Sequence, residues 1–275
     1  MAYTFYKAHG LGNDFVVIDA RTNAFPITAE RARKIADRRF GVGCDQLILL
    51  EASRSPSTDL FMRILNADGT EVEACGNATR CVAAILQQET NKTHFAIETV
   101  AGILRTETHG NNRVTADFGT PRLEPEAIPL TQKIDTQHAP IQYMGLKDPA
   151  IVSVGNPHLV FFVYDAEAID LAQVGAHLTH HPLFPNGTNV EVVEILDSQR
   201  IRMRVYERGT GITPACGTGA CASVVAAQNR GLVQSPCTVI MDGGELSVTF
   251  DQSVRMTGPV TIAFKGTLYD EFLAA

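Results

Sequence analysis

Short β-type runs dominate the hydrophobic pattern, and helical stretches interrupt them at regular intervals. His94 to Gly119 reads as β-runs broken by Gly and Asn turns, and Cys237 to Phe264 repeats that pattern around Gly243-Gly244. Thr28 to Gly41 reads as a helix, with Thr28 as N-cap, Glu30 in the first turn and Gly41 as the stop; Asp165 to His181 is its expected partner in the second half. Two further helices open abruptly at an Ala-Cys-Gly turn, one at Cys75 and one at Cys216, and both are rich in Ala and other small residues. A helix of that composition, with no single apolar stripe, suits a position wrapped by strands better than a surface position.

The two Ala-Cys-Gly turns belong to a longer repeat. Placing Cys75 over Cys216 (216 − 75 = 141) sets Met62-Arg63-Ile64 over Met203-Arg204-Val205 and Asn66 over Glu207. At a shift of 143, "GNDFVVID" from Gly12 lies over "GNPHLVFF" from Gly155, and Gln46 lies over Asn189. Three collinear matches at nearly equal shifts point to a duplication. Each half then reads strand, helix, strands, Cys-helix, strands, which is α+β with two similar lobes. Pro121 and Pro125 punctuate the boundary near Gly119 to Glu126. The expected lobes are 1–119 with 266–275, carrying Cys75, and 120–265, carrying Cys216.

Composition narrows the field only modestly. A formal net charge of −7 disfavours a sequence-independent nucleic-acid binder, which needs a basic face. No apolar run is long enough to span a bilayer, and the first residues lack the basic-then-apolar pattern of a signal peptide, so a cytoplasmic location and no membrane partner are expected. None of the six cysteines forms Cys-x-x-Cys or joins a His cluster at metal spacing, so no metal site and no disulfide scaffold are expected. Cys44, Cys81, Cys221 and Cys237 read as small core residues.

Cys75 and Cys216 read differently. A cysteine at a helix start faces unpaired backbone N–H groups and the positive end of the helix dipole, so its thiol is expected to ionise below the ordinary value. The neighbouring glycine lets a ligand approach the backbone, and the free N–H groups can hold a carboxylate. Two such thiols, one per lobe, could act as base and acid on opposite faces of a carbon centre. Thiol–disulfide exchange is the competing chemistry, but it wants a Cys-x-x-Cys that this chain lacks.

The segments "GLGNDF", "GVGCDQL", "NADGTEVEACGN", "GNPH", "TNVE" and "YERGTGITPACGTGACA", in that order, resemble the diaminopimelate epimerase family. The resemblance implies two lobes, each a β-barrel-like roll around a central helix, with the site in the cleft. It implies epimerisation of LL-diaminopimelate to the meso form without pyridoxal phosphate, metal or other cofactor, in lysine and peptidoglycan precursor synthesis; the oligomeric state is not set by the sequence, a homodimer being one candidate. Carried over residue by residue, Cys75 and Cys216 are the acid–base pair, with His158 and Glu207 tuning the thiols. Gly76-Asn77 and Gly217-Thr218 present backbone N–H groups to the reacting carboxylate. Asn13, Gln46, Asn66, Asn156, Asn189, Glu207 and Arg208 hold the substrate, with Arg208 suited to a bidentate grip on the distal carboxylate. Cys44, Ile212 and Ala78-Thr79 depart from the family's usual Phe, Glu and Gly-Ala. A racemase of another amino acid on the same fold is the alternative; Arg208, Asn66 and Asn189 make sense only if the far end of the substrate is charged.

Overall fold

The computed structural model describes residues 2–274. The chain forms two compact units, residues 2–116 with 258–274, and Asp117–Thr257. These limits differ from the lobes expected from sequence. The chain re-enters the first unit at Gly258 rather than at 266, because the strand Thr261–Tyr269 pairs along its length with Ala2–Gly10, from Ala2 opposite Tyr269 to His9 opposite Thr261. The first crossing falls at Asp117 because the amide of Phe118 already bonds Val254 O, at 3.0 Å, within the second unit.

Each unit by itself follows one strand plan. In the first, Asn13–Asp19 runs parallel to Gln46–Glu51, which is antiparallel to Leu60–Asn66; that strand pairs antiparallel with Glu71–Val72 and parallel with His94–Thr99. In the second, Pro157–Val163 runs parallel to Asn189–Asp197, which is antiparallel to Arg200–Glu207; that strand pairs antiparallel with Gly211–Thr213 and parallel with Cys237–Met241. The registers repeat as well. Phe15 opposite Gln46 corresponds to His158 opposite Asn189, Leu47 opposite Leu65 to Val190 opposite Tyr206, and Ile97 opposite Leu104 to Val239 opposite Leu246. A one-residue slip would invert every side chain, so this agreement is strong support for a duplicated unit.

The helices divide into two kinds. The short ones, α1 (Ala29–Ala36) and α3 (Leu171–Leu178), cover the outer sheet face of their own unit. In the first unit Val16, Ile18, Leu47 and Leu49 pack with Ala32 and Ile35 of α1; in the second Leu159, Phe161, Val190 and Val192 pack with Leu171 and Val174 of α3. Both are shorter than the sequence pattern suggested. Thr28 does cap α1, accepting from the Arg31 amide at 3.2 Å, but the helix ends at Ala36 because Asp37 turns extended and takes the Arg39 and Phe40 amides on its own carboxylate. In α3 the cap is Asp170, which accepts from Gln173 N at 3.1 Å; the acidic residues before it make a turn around Asp165 instead.

The long helices, α2 (Gly76–Thr90) and α4 (Gly217–Asn229), are the central ones. Every residue from Gly76 to Leu86 and from Gly217 to Ala227 is buried. In the first unit α2 lies on the sheet face opposite α1, against Phe15, Val17, Ile48, Leu50 and Met62. The strands there are buried on both faces, which is why they read as continuous apolar runs rather than as alternation. Small residues let the helix backbone come close to the strands around it, and α2 ends where Asn91 adopts the left-handed conformation, φ 57°, and donates its N–H to Gln87 O.

Candidate active site

Each unit places a cysteine as the N-cap of its central helix. Cys75 has φ −146° and Cys216 φ −126°, both extended, so each thiol projects at the mouth of a first helical turn. The residues around the two thiols differ.

In the first unit, the Cys75 thiol donates toward Asn13 Oδ1 at 3.9 Å, and Asn77 Nδ2 donates to the same oxygen at 3.2 Å. Asn13 is fixed from its other end, since its Nδ2 donates to Asp45 Oδ2 at 3.1 Å. Asp45 is itself part of an ionic cluster with Arg38, Asp14 and Lys7. Burial raises the Asp14 carboxyl, but hydrogen bonds from Arg38 and Lys7 overcome that and hold it well below the usual carboxylate range. Gln46 and Asn66 face each other across adjacent strands, Gln46 Nε2 donating to Asn66 Oδ1 at 3.0 Å, and Asn66 Nδ2 donates to Thr70 Oγ1 at 3.2 Å. Asn13, Asn77 and Cys75 thus meet directly, while Gln46 and Asn66 form a second pair one residue along from Asp45.

Arg80, absent from the sequence expectations, is the largest fully buried side chain among the described residues. It donates from Nη2 to Asn77 Oδ1 at 2.6 Å and from Nη1 to Pro259 O at 2.9 Å. Its place three residues after Asn77 on a helix was the one available signal, because residues at that spacing share a face.

In the second unit, Cys216 is 4% exposed. Its sulfur accepts from the Gly219 amide at 3.3 Å and lies 3.5 Å from Thr218 Oγ1. Glu207, at the end of its strand, takes hydrogen bonds from the Thr213 hydroxyl and from the Cys216 thiol. Burial pushes the Glu207 carboxyl up, more than these donors pull it down. Asn156 donates from Nδ2 to Thr218 Oγ1 at 3.4 Å and lies 3.0 Å by its Oδ1 from His158 Nε2. Asn189 donates to Pro157 O at 3.1 Å and accepts the Arg208 amide at 3.0 Å; the Arg208 guanidinium donates to Asn186 O at 2.9 Å. Cys216, Glu207, Thr218, Asn156 and His158 therefore form one connected network, and Asn189 and Arg208 form a separate pair.

One expectation fails here. The Cys216 thiol is not lowered by its helix end: burial raises it well above the ordinary 9.0, and the Glu207 and Glu191 carboxylates add to that, outweighing the Thr218 and Gly219 donors. The helix start supplies only partial charges, whereas full desolvation and two nearby acids act on the whole thiolate charge. The four remaining cysteines are core residues, with Cys44, Cys81, Cys221 and Cys237 at most 2% exposed; burial lifts Cys44 and Cys81 to about 12.

Comparison with solved structures gives the class. The chain superposes on a hydroxyproline epimerase from Agrobacterium vitis with a TM-score of 0.71 at 16% identity, covering 97% of this chain and 91% of that one. It superposes on a PhzF-family phenazine biosynthesis protein from Bacillus anthracis at 0.68 and 17% identity, covering 98% and 99%. These likenesses establish the fold. With a cysteine at the head of each central helix and the sequence relatives that follow, the chain is an isomerase of the amino-acid epimerase type. The family described as diaminopimelate epimerase matches residues 5–124 and 150–263. A diaminopimelate epimerase of Rhodospirillum centenum is 51% identical over 275 residues, 99% of this chain and 94% of the relative. Another, of Sphingopyxis alaskensis, is 50% identical over 269 residues, 97% of each. The chain belongs to the diaminopimelate epimerase family.

Proposed function

We propose that the protein interconverts LL- and meso-diaminopimelate at one carbon, with Cys75 and Cys216 as an acid–base pair on opposite faces and without a cofactor. The observation that carries this reading is the repetition of one feature, a cysteine N-cap with glycine as the first helical residue, in two otherwise divergent polar settings. A duplicated binding module would have no use for two such thiols.

One thiolate removes the α-proton. The electron pair of the broken C–H bond moves into the α-carboxylate, whose oxygens are held by the first-turn amides of the helices begun by Gly76-Asn77 and Gly217-Thr218. The other thiol then delivers its proton to the opposite face, and the two exchange roles in the reverse direction. Cys216, kept protonated by its burial and by Glu207, is the acid of the resting enzyme. Glu207 stands within hydrogen-bond reach to take up its proton when it must serve as the base. Asn13, Gln46, Asn66, Asn156 and Asn189 hold the amino and carboxylate groups of the substrate, and Arg208 pairs the distal carboxylate. His158 tunes the thiols. Among the described residues no helix is long and apolar enough to cross a membrane; we place the reaction in the cytoplasm and the working form as a homodimer.

Incubation of purified protein with LL-diaminopimelate, followed by chiral chromatography, should show the meso isomer accumulating toward a fixed ratio with no DD isomer. Faster turnover of proline, or of any monocarboxylic amino acid, would defeat the substrate assignment.

A further inference from the structure

Two ionisable side chains, His158 and Glu191, are buried back to back in the second unit. Both are 0% exposed, and His158 Nδ1 lies 2.7 Å from Glu191 Oε1. The fold does not require this pair. In the first unit the same two register positions hold Phe15, opposite Gln46, and Ile48, opposite Val17, and both are 0% exposed in an apolar core. A buried hydrogen-bonded polar pair contributes little that well-packed apolar residues would not, so its presence in only one copy of the repeat calls for another reason.

Its location supplies one. A Cβ on Gly219 would come within 2.8 Å of Glu191 Oε1 and 3.3 Å of Cys216 Sγ, so the carboxylate sits directly behind the first turn of α4. The corresponding residue of α2, 141 positions earlier, is Ala78, beside the apolar Ile48. Glycine at 219 makes room for the carboxylate. The second oxygen, Oε2, is buried and accepts no hydrogen bond among the described residues, so the contact to His158 is what holds this side chain.

We propose that Glu191 is a positioning residue for Cys216, acting through His158, Asn156 and Thr218. The inference rests on the reading of Cys216 as an acid–base group. Asn156 Oδ1 can only accept, so at 3.0 Å it requires the hydrogen on His158 Nε2. That leaves Nδ1 to share a proton with Glu191, and the imidazole is held in one orientation. Asn156 is then turned with its Nδ2 toward Thr218 Oγ1. A hydroxyl that accepts from Asn156 keeps its own hydrogen free for the sulfur 3.5 Å away. Without a partner on Nδ1 the ring can carry its hydrogen there, Asn156 reverses, and its oxygen takes the Thr218 hydrogen away from the thiolate. In the first unit Phe15 and Ile48 leave no such chain, so Cys75 has no counterpart of it within its own unit.

The test compares Glu191→Gln with Glu191→Leu in the full-length protein. The Gln amide can donate to Nδ1 and preserve the Nε2–H form; Leu cannot. Glu191→Leu should lower kcat roughly tenfold or more, the worth of a hydrogen bond to a charged group. Glu191→Gln should stay within about threefold of the parent in kcat. Nitrogen-15 NMR of the His158 ring should show Nε2 protonated in the parent and in Glu191→Gln, and a mixture of tautomers in Glu191→Leu. Thr218→Val should lower kcat too, and combining it with Glu191→Leu should add little, since both break one chain. The double variant His158→Phe/Glu191→Ile, which copies the first unit, should fold with undiminished stability.

A parent His158 protonated only on Nδ1, or equal loss of kcat in the Gln and Leu variants, would overturn the proposal. Neither outcome bears on Cys216 itself. An active Cys216→Ala enzyme would remove the acid–base reading, and the tautomer measurement would still report on Glu191.

Discussion

Cys75→Ala and Cys216→Ala should each abolish epimerisation, with activity falling by roughly 10³-fold or more, because general acid–base catalysis by a positioned group contributes on the order of 10²–10⁴. On the proposed two-thiol reading each thiol serves one face, so neither can substitute for the other, and the loss should appear in kcat in both reaction directions. Cys216→Ala should carry a second signature, in stability. The Cys216 thiol ionises well above 9.0 when folded, through burial and the neighbouring acids, and near 9.0 when unfolded. A folded pKa that is raised gives stability that is complete below the unfolded value and declines as pH rises from there toward the folded value. The parent should therefore lose stability above about pH 9, and Cys216→Ala should lose it less steeply, by up to about 1.4 kcal/mol per pH unit. Cys44 and Cys81, raised to about 12, contribute the same trend to both proteins and leave the difference to Cys216. Urea titration across pH 8–10 measures it; parallel curves would mean that Cys216 is not buried as a thiol.

Glu207→Gln should be the next most damaging change, with kcat reduced by about 10²-fold, the lower end of the range for a general acid–base group. The amide keeps the shape and can still accept the Thr213 hydroxyl, so binding should suffer little. It cannot take the proton of Cys216, and it removes the negative charge that helps to hold that proton in place. The pH at which Cys216 ionises, followed by thiolate ultraviolet absorbance, should move down, even as the rate falls. A fall in rate with an unmoved or rising thiol titration would mean that Glu207 acts on the substrate and not on Cys216.

Much of this was visible in the sequence because duplication wrote it twice. The near-equal spacing of "GNDF" and "GNPH" and of the two Ala-Cys-Gly turns located both central helices, both cysteines and the strand ends near Asn13, Gln46, Asn156 and Asn189. Local signals were weaker at the ends of α1 and α3, where short acidic turns at Asp37 and Asp165 compete with helix for the same backbone amides. The remaining misses depend on tertiary burial. Nothing near Glu191 in sequence says that it faces the first turn of α4; only the parallel register with Pro157–Val163 does. Arg80 looks like an ordinary helical arginine until the closing Gly258–Pro259 segment is seen to accept its guanidinium. The sequence points to a lowered Cys216 thiol for the same reason: the helix end is a local feature, and the desolvation that outweighs it is not.

The two-thiol reaction is tested most directly by running it in deuterated water and stopping early. Each thiol should exchange with solvent before it acts, and the proton removed by one is never the one delivered by the other. The meso product should then carry one deuterium at the inverted carbon, while recovered LL substrate remains unlabelled. Equal labelling of recovered substrate and product would require a single base serving both faces, and would contradict the pairing of Cys75 with Cys216.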